Sequence, residues 1–296
     1  MNEKTISRRS LLKLASASTV TAAAVLPSAV RAAQTDQWDE TYEIIVVGAG
    51  GAGMAAAVKA AQKGAKHVVV LEKLNFPGGN TLISQGFINA ADPVRQPKQG
   101  IKDSWQHHAE QTLEAGDFRG QKDRVDVLCR NAYPTIEWLE SLGMQFKPKV
   151  IQIFGALYPR SHVPALPKGQ GYGTVLSKAA KELGVEVRTG MGVEEIIREK
   201  PFEGDVLGVV AKNAKGEIKR IRATRGVVLA AGGFSANKYL RELHDPRVAG
   251  LGTDNLPGAT GEVAMAAVRR LSRRHGFYPI DAGCSGRQED EVAAQL

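Results

Sequence analysis

Residues 42–73 read YEIIVVGAGGAGMAAAVKAAQKGAKHVVVLEK, and the architecture is built outward from them. The β-branched run Ile44 to Val47 is a buried strand, since strands covered on both faces read as continuous apolar runs. The Ala-rich segment after Gly53 is a helix, and Val68 to Leu71 is a second strand. Strand, Gly-rich turn, helix and strand make one βαβ unit.

Gly48, Gly50 and Gly53 form G-x-G-x-x-G at the strand-to-helix turn. The spacing serves a tight bend, a close backbone approach to a pyrophosphate, and close packing of the helix on the strand. The helix N-terminus then presents N–H groups to phosphate. Candidate binding positions in the turn are Gly48, Ala49, Gly50, Gly51, Ala52 and Gly53. Glu72 ends the second strand, 19 residues beyond Gly53. A carboxylate there accepts hydrogen bonds from both hydroxyls of a ribose. NAD and FAD enzymes share this fingerprint, so it specifies a dinucleotide without saying which.

The whole chain has 296 residues, 43% of them hydrophobic, enough for a sizeable core. Its formal charge is +8, of which +4 lies in the first 32 residues, where Lys4, Arg8, Arg9, Lys13 and Arg31 face Glu3. The remaining basicity is spread without a Lys/Arg stripe interleaved with aromatics, which argues against a nucleic-acid partner. Cys129 and Cys284 are the only cysteines, with no C-x-x-C and no C-x-x-C-H. No metal, cluster or c-type haem framework is expected, so an electron donor has to be another chain.

Residues 1–32 run from SRRSLLK through LASASTVTAAAVLPSAV to RAA, the charged, apolar and small-residue order of a signal peptide. Arg8 and Arg9 resemble the twin-arginine signal for exporting folded, cofactor-loaded bacterial proteins, with cleavage expected after Ala32. The apolar run holds Ser, Thr and Pro and is short for a span of about 20 residues, so export to the periplasm is expected rather than stable membrane insertion.

The residues after Glu72, EKLNFPGGNTLISQGFINAA, resemble the FAD-dependent oxidoreductases of the fumarate reductase/succinate dehydrogenase flavoprotein type, especially the soluble flavocytochrome c and urocanate reductase group. Glu72, Lys73, Gly78, Gly79, Asn80, Thr81, Gly86 and Asn89 carry the match. The resemblance implies FAD, an α/β Rossmann-like domain with a central parallel sheet, and cofactor contacts from Lys73, Gly79, Asn80, Thr81, Gln85 and Gly86. RGVVLAAGGFSAN is a second shared feature, placing Ala231, Gly232 and Gly233 at the end of a strand, Val227 to Leu229, expected to be buried. Glycines there let backbone approach a ligand. By the same resemblance Val193 contacts the adenine through its backbone. Asp254 to Glu262 resembles a P-G-A-x-G-D-G turn near the cofactor, with Glu262 in place of Asp and Val263 in place of Gly.

Residues 98–146 show apolar residues at helical spacing and are expected to form amphipathic helices on the flavin domain. His107 and His108 are adjacent, face different ways on a helix, and are expected at the surface rather than on a metal. Arg160 and His162 stand where the family often has an R-x-H pair. They are candidates for the substrate side of the flavin, or else groups that hydrogen-bond loop backbone. The stretch 206–233 suggests a small antiparallel element before the last strand.

The expected organisation is therefore a targeting segment at 1–32, an incomplete FAD-binding domain at 33–267, and a divergent tail at 268–296. A changed reading frame is one origin of that tail. The family's capping domain, which supplies substrate-binding His and Thr and an arginine proton donor, is expected to be absent, and no catalytic residue is assigned. Three functions stay open. The first is a flavoprotein reductase that takes electrons from an external donor such as a multihaem cytochrome c and passes them to a small dicarboxylate or enoate-like acceptor. The others are a non-catalytic FAD-binding fragment and an NAD-dependent dehydrogenase.

Overall fold

The computed structural model describes residues 37–200 and 202–271, and a compact unit begins at Trp38. The targeting segment and residues 272–296 of the tail lie outside the described residues.

A six-stranded sheet has the order β5-β2-β1-β8-β7-β6. Its strands are β1 (Glu40–Val47), β2 (Val68–Leu71), β5 (Glu186–Arg188), β6 (Met191–Lys200), β7 (Glu203–Asn213) and β8 (Ile218–Leu229). β5, β2, β1 and β8 run parallel, with Ile45 opposite both Val69 and Val227. β6, β7 and β8 form an antiparallel meander. β3 (Ile88–Asn89) and β4 (Ser161–His162) make a separate antiparallel pair.

The helices are α1 (Gly51–Gln62), α2 (Gly79–Ile83), α3 (Trp105–Ala115), α4 (Lys122–Ser141), α5 (Gln170–Glu182), α6 (Lys238–His244) and α7 (Glu262–Leu271). Sequence chemistry places some of the ends. Ser104 Oγ accepts the His107 N–H at 3.1 Å at the start of α3, and Asn237 Oδ1 accepts the Leu240 N–H at 3.1 Å at the start of α6. Such caps satisfy N–H groups that have no partner within the helix.

The period-2 alternation of β1 and β2 sorts side chains into two cores. Val46, Val68 and Val70 meet Met54, Ala57 and Val58 of α1 and Leu176, Ala179 and Ala180 of α5. Ile45, Val47, Val69 and Leu71 join Val193, Val209, Ala211, Ile221 and Ala223 of the meander and Val263 of α7. No helix among the described residues is long and apolar enough to cross a membrane.

The expected antiparallel element is present as β6, β7 and β8, but it is continuous with the last strand rather than preceding it, since β8 pairs with β7 on one side and with β1 on the other. One expectation is corrected: the end of β8 is less buried than its composition suggests, since Val228 and Leu229 are each 38% exposed. Val228 stands opposite Val46, but Val46 belongs to the core under α1 and α5, and Val228 does not.

Candidate dinucleotide site

The ends of β1, β2 and β8 and the start of α1 border one cleft of about 210 Å³. Glycine is required where the chain closes on itself. Gly48 has φ +102°, and a Cβ there would lie 2.5 Å from the Ala230 carbonyl oxygen. A Cβ on Gly53 would lie 1.9 Å from the Gly48 carbonyl oxygen, so α1 starts this close to β1 only with glycine at both positions. Gly50 serves another purpose, because among the described residues, its chain neighbours aside, no atom lies within 4 Å of a Cβ added there, and the same holds for Gly232 and Gly233.

Glu72 is 7% exposed, and its carboxylate accepts the N–H of Ala49 at 2.8 Å and of Leu74 at 2.9 Å. A carboxylate offers about four acceptor sites, so two of them remain for other donors. Thr81 Oγ1 accepts the Gly51 N–H at 3.0 Å, tying the glycine turn to α2. Asn80 Oδ1 accepts the Leu256 N–H at 2.7 Å. Lys73 Nζ donates to Thr260 Oγ1 at 2.5 Å and to Glu262 Oε2 at 2.7 Å.

Many of the sequence candidates come together at this cleft. Gly48, Gly50, Gly51 and Ala52 line it from the first turn, and Glu72 and Lys73 from the end of β2. Gly79, Asn80 and Thr81 line it from α2, Val193 from β6, and Ala231 and Gly232 from beyond β8. Others lie off its lining. Ala49 is fully buried and contributes its N–H to Glu72, while Gly53 packs α1 against the Gly48 carbonyl. Gln85 and Gly233 are exposed elsewhere.

Gly86 is a packing point: at φ +76° its added Cβ would lie 2.3 Å from the Lys168 carbonyl oxygen, and its own carbonyl accepts the Tyr172 hydroxyl at 2.7 Å. Burial pushes that hydroxyl up to about 12. Met191, Ala230 and much of the segment Leu256–Ala264 also line the cleft. The signal for that segment lay in its glycines: a Cβ on Gly258 would meet Leu74 Cδ1 at 3.1 Å, and one on Gly261, at φ +77°, would meet Phe234 Cβ at 2.6 Å.

Arg160 and His162 are placed elsewhere, inside the part of the fold carrying β3, β4, α3 and α4. Arg160 is 4% exposed and grips Asp103 with Nε at 2.9 Å and Nη2 at 2.8 Å, while Nη1 donates to Gln111 at 2.7 Å. His162 is fully buried, with Nε2 2.9 Å from Asp92 Oδ2. Both are interior groups joined to carboxylates and not members of the cleft lining, and the partners are side chains rather than loop backbone alone. Burial raises both carboxyls, but it is outweighed: hydrogen bonds from His162 and Arg95 hold Asp92 below its ordinary value, and those from Arg160 and Gln96 do the same for Asp103.

The expectation for His108 also needs correction. It is buried at 7% exposure, its Nδ1 has no partner among the described residues, and desolvation, aided by the Arg160 charge, pushes it down to about 4. No group of three or more metal-capable side chains occurs among the described residues.

Residues 43–276 match the family described as "FAD binding domain". The acrylate reductase flavoprotein subunit of Shewanella woodyi is 31% identical over 270 residues, which cover 88% of this chain and 53% of that protein. The urocanate reductase of Eggerthella lenta is 37% identical over 230 residues, covering 76% of this chain and 37% of that protein. The open conformation of a flavocytochrome c3 fumarate reductase superposes with TM-score 0.73 at 30% identity, over 81% of this chain and 42% of that one. The chain thus spans about half, or less, of the length of these relatives.

The residues present fit the cofactor such a family takes. Gly50 leaves bare backbone at the start of a helix, where phosphate is favoured, and the Glu72 carboxylate is oriented by two N–H groups with acceptor capacity to spare. The chain belongs to the FAD binding domain family, and FAD is its cofactor.

Proposed function

We propose that the glycine-lined cleft holds FAD, with the pyrophosphate at Gly50 to Ala52, the ribose of the adenosine on Glu72, and the adenine beside Val193. The observation that carries this reading is the fixed Glu72 carboxylate within the same cleft as the bare backbone at Gly50. FAD, when bound, supplies two-electron redox chemistry. The protein's own residues bind it, orient it through Glu72 and Thr81, and cover it with the segment Leu256–Ala264.

At the level of the whole enzyme, the reading is a reductase of an activated alkene carrying a carboxylate. Two electrons come from a separate donor chain, for which a multihaem cytochrome c is one chemical class. Relatives named as acrylate and urocanate reductases support this class of acceptor. The Arg8–Arg9 segment supports export to the periplasm by the twin-arginine route. Detection of the protein in periplasmic extracts, and its loss there on Arg8→Lys/Arg9→Lys substitution, tests the location.

The cofactor reading is tested by incubating the purified protein with excess FAD and removing the unbound fraction. A retained absorption band near about 450 nm is expected. A colourless protein overturns it. The activity reading is tested by reducing the loaded protein under argon and adding fumarate, acrylate or urocanate. Reoxidation of the flavin is expected.

A second reading, a non-catalytic FAD-binding unit, is favoured by the inward placement of Arg160 and His162, which leaves neither of them on the cleft. Flavin that stays reduced with every acceptor supports it.

A further inference from the structure

The segment Leu256–Glu262 meets the two flanks of the cleft in different ways. Towards the turn that follows β8 it is joined by one backbone–backbone bond, Ala236 N donating to the Ala259 carbonyl at 2.8 Å, and by the Asn237 side chain, whose Nδ2 donates to the Thr260 carbonyl at 3.0 Å. Gly261 packs on Phe234 on the same side.

Towards β2 and α2 the polar ties run only through the side chains of Lys73 and Asn80 among the described residues. Lys73 Nζ reaches Thr260 Oγ1 and Glu262 Oε2, and Asn80 Oδ1 takes the Leu256 N–H. Beyond these there is packing of Gly258 on Leu74. The segment can therefore part from the β2 flank without breaking any backbone–backbone hydrogen bond among the described residues.

We propose that Leu256–Glu262 is a strap closing over the adenosine end of the cleft, and that Glu262 is a positioning residue whose pair with Lys73 latches it. The inference rests on the FAD reading for its ligand. Glu262 and Lys73 have side chains 57% and 29% exposed, so salt weakens their attraction and the latch is releasable. Glu262 lies in the first turn of α7, where a carboxylate is favoured by the helix dipole. The longer side chain, where the family pattern has Asp, supplies the reach to Lys73.

The test compares wild type with Glu262→Gln, Glu262→Asp and Thr260→Val. Each is loaded with FAD, and release is followed by recovery of free-flavin fluorescence on dilution at low and high salt. Release about fivefold faster in Glu262→Gln is expected, the size of effect an exposed ion pair gives. Wild-type release should quicken with salt, and Glu262→Gln release should not. Glu262→Asp and Thr260→Val should fall between the two.

A second readout needs no cofactor. Amide hydrogen exchange across Leu256–Glu262 should be faster in Glu262→Gln than in wild type, with β1 unchanged. Equal exchange and equal release in the two proteins overturn the latch while leaving FAD binding intact. A wild type that takes up no FAD overturns the cofactor reading, and the exchange measurement still decides whether the latch exists.

Discussion

Glu72 Oε2 accepts the backbone N–H of Ala49 at 2.8 Å, so the acid at the end of β2 is locked to the glycine turn at the end of β1. The other oxygen takes the Leu74 N–H at 2.9 Å, and the carboxylate has no freedom to swing out of the cleft. In Glu72→Gln one of these positions becomes an NH₂ facing an N–H. Stability should fall by about 1–3 kcal/mol and FAD affinity by roughly tenfold or more. Thermal melting and an FAD titration check both, and unchanged affinity would remove Glu72 from the site.

Two glycines in one turn should respond oppositely. Gly53→Ala drives a methyl to within 1.9 Å of the Gly48 carbonyl oxygen, so a loss of at least about 2 kcal/mol is expected. Gly50→Ala meets no atom of the described residues within 4 Å beyond its chain neighbours and has an extended backbone that alanine adopts, so stability should change by less than about 0.5 kcal/mol. Its methyl nevertheless fills the cradle, and FAD affinity should drop. Equal FAD binding by wild type and Gly50→Ala would place the pyrophosphate elsewhere.

Arg160→Met strands the fully buried Asp103 carboxylate, and breaking such a pair costs about 3–5 kcal/mol. Adding Asp103→Asn should recover part of the loss, because the amide carries no charge. The FAD affinity of the protein that stays folded should be unchanged. A fall in FAD affinity without loss of stability would return Arg160 to the flavin side.

His108 should impose a pH dependence of its own. Folding lowers its value from about 6.5 to about 4, so the unfolded chain binds the proton more tightly. Its stabilising contribution is full above about pH 6.5 and is lost as the pH falls towards 4, by up to about 3 kcal/mol. Asp92 and Asp103, held below their ordinary values, keep their contribution until the pH falls below the usual carboxylate range, which separates the two windows. Denaturant melts at pH 7 and pH 5 should differ in wild type and coincide in His108→Leu.

The local sequence settled those parts of the protein that depend on short-range sterics and period. The βαβ unit was legible because Ile44 to Val47 and Val68 to Leu71 are continuous apolar strands and only glycine fits at 48 and 53. Placing Glu72 at the end of the second strand was enough to bring it to the cleft, since parallel neighbours in register end together.

Tertiary structure decided what depends on which distant residues meet. Nothing near Arg160 or His162 in sequence announces Asp103 and Asp92, 57 and 70 positions away, and those pairings turn two apparent ligand-facing groups into interior ones. Val228 reads as a core residue, yet it lies outside the core beneath α1 and α5. The tie between Lys73 and Glu262, 189 residues apart, exists only because the chain returns over β2 after the meander. Composition and spacing constrain neighbours along the chain, whereas burial and charge pairing are settled by packing between segments that the sequence alone does not bring together.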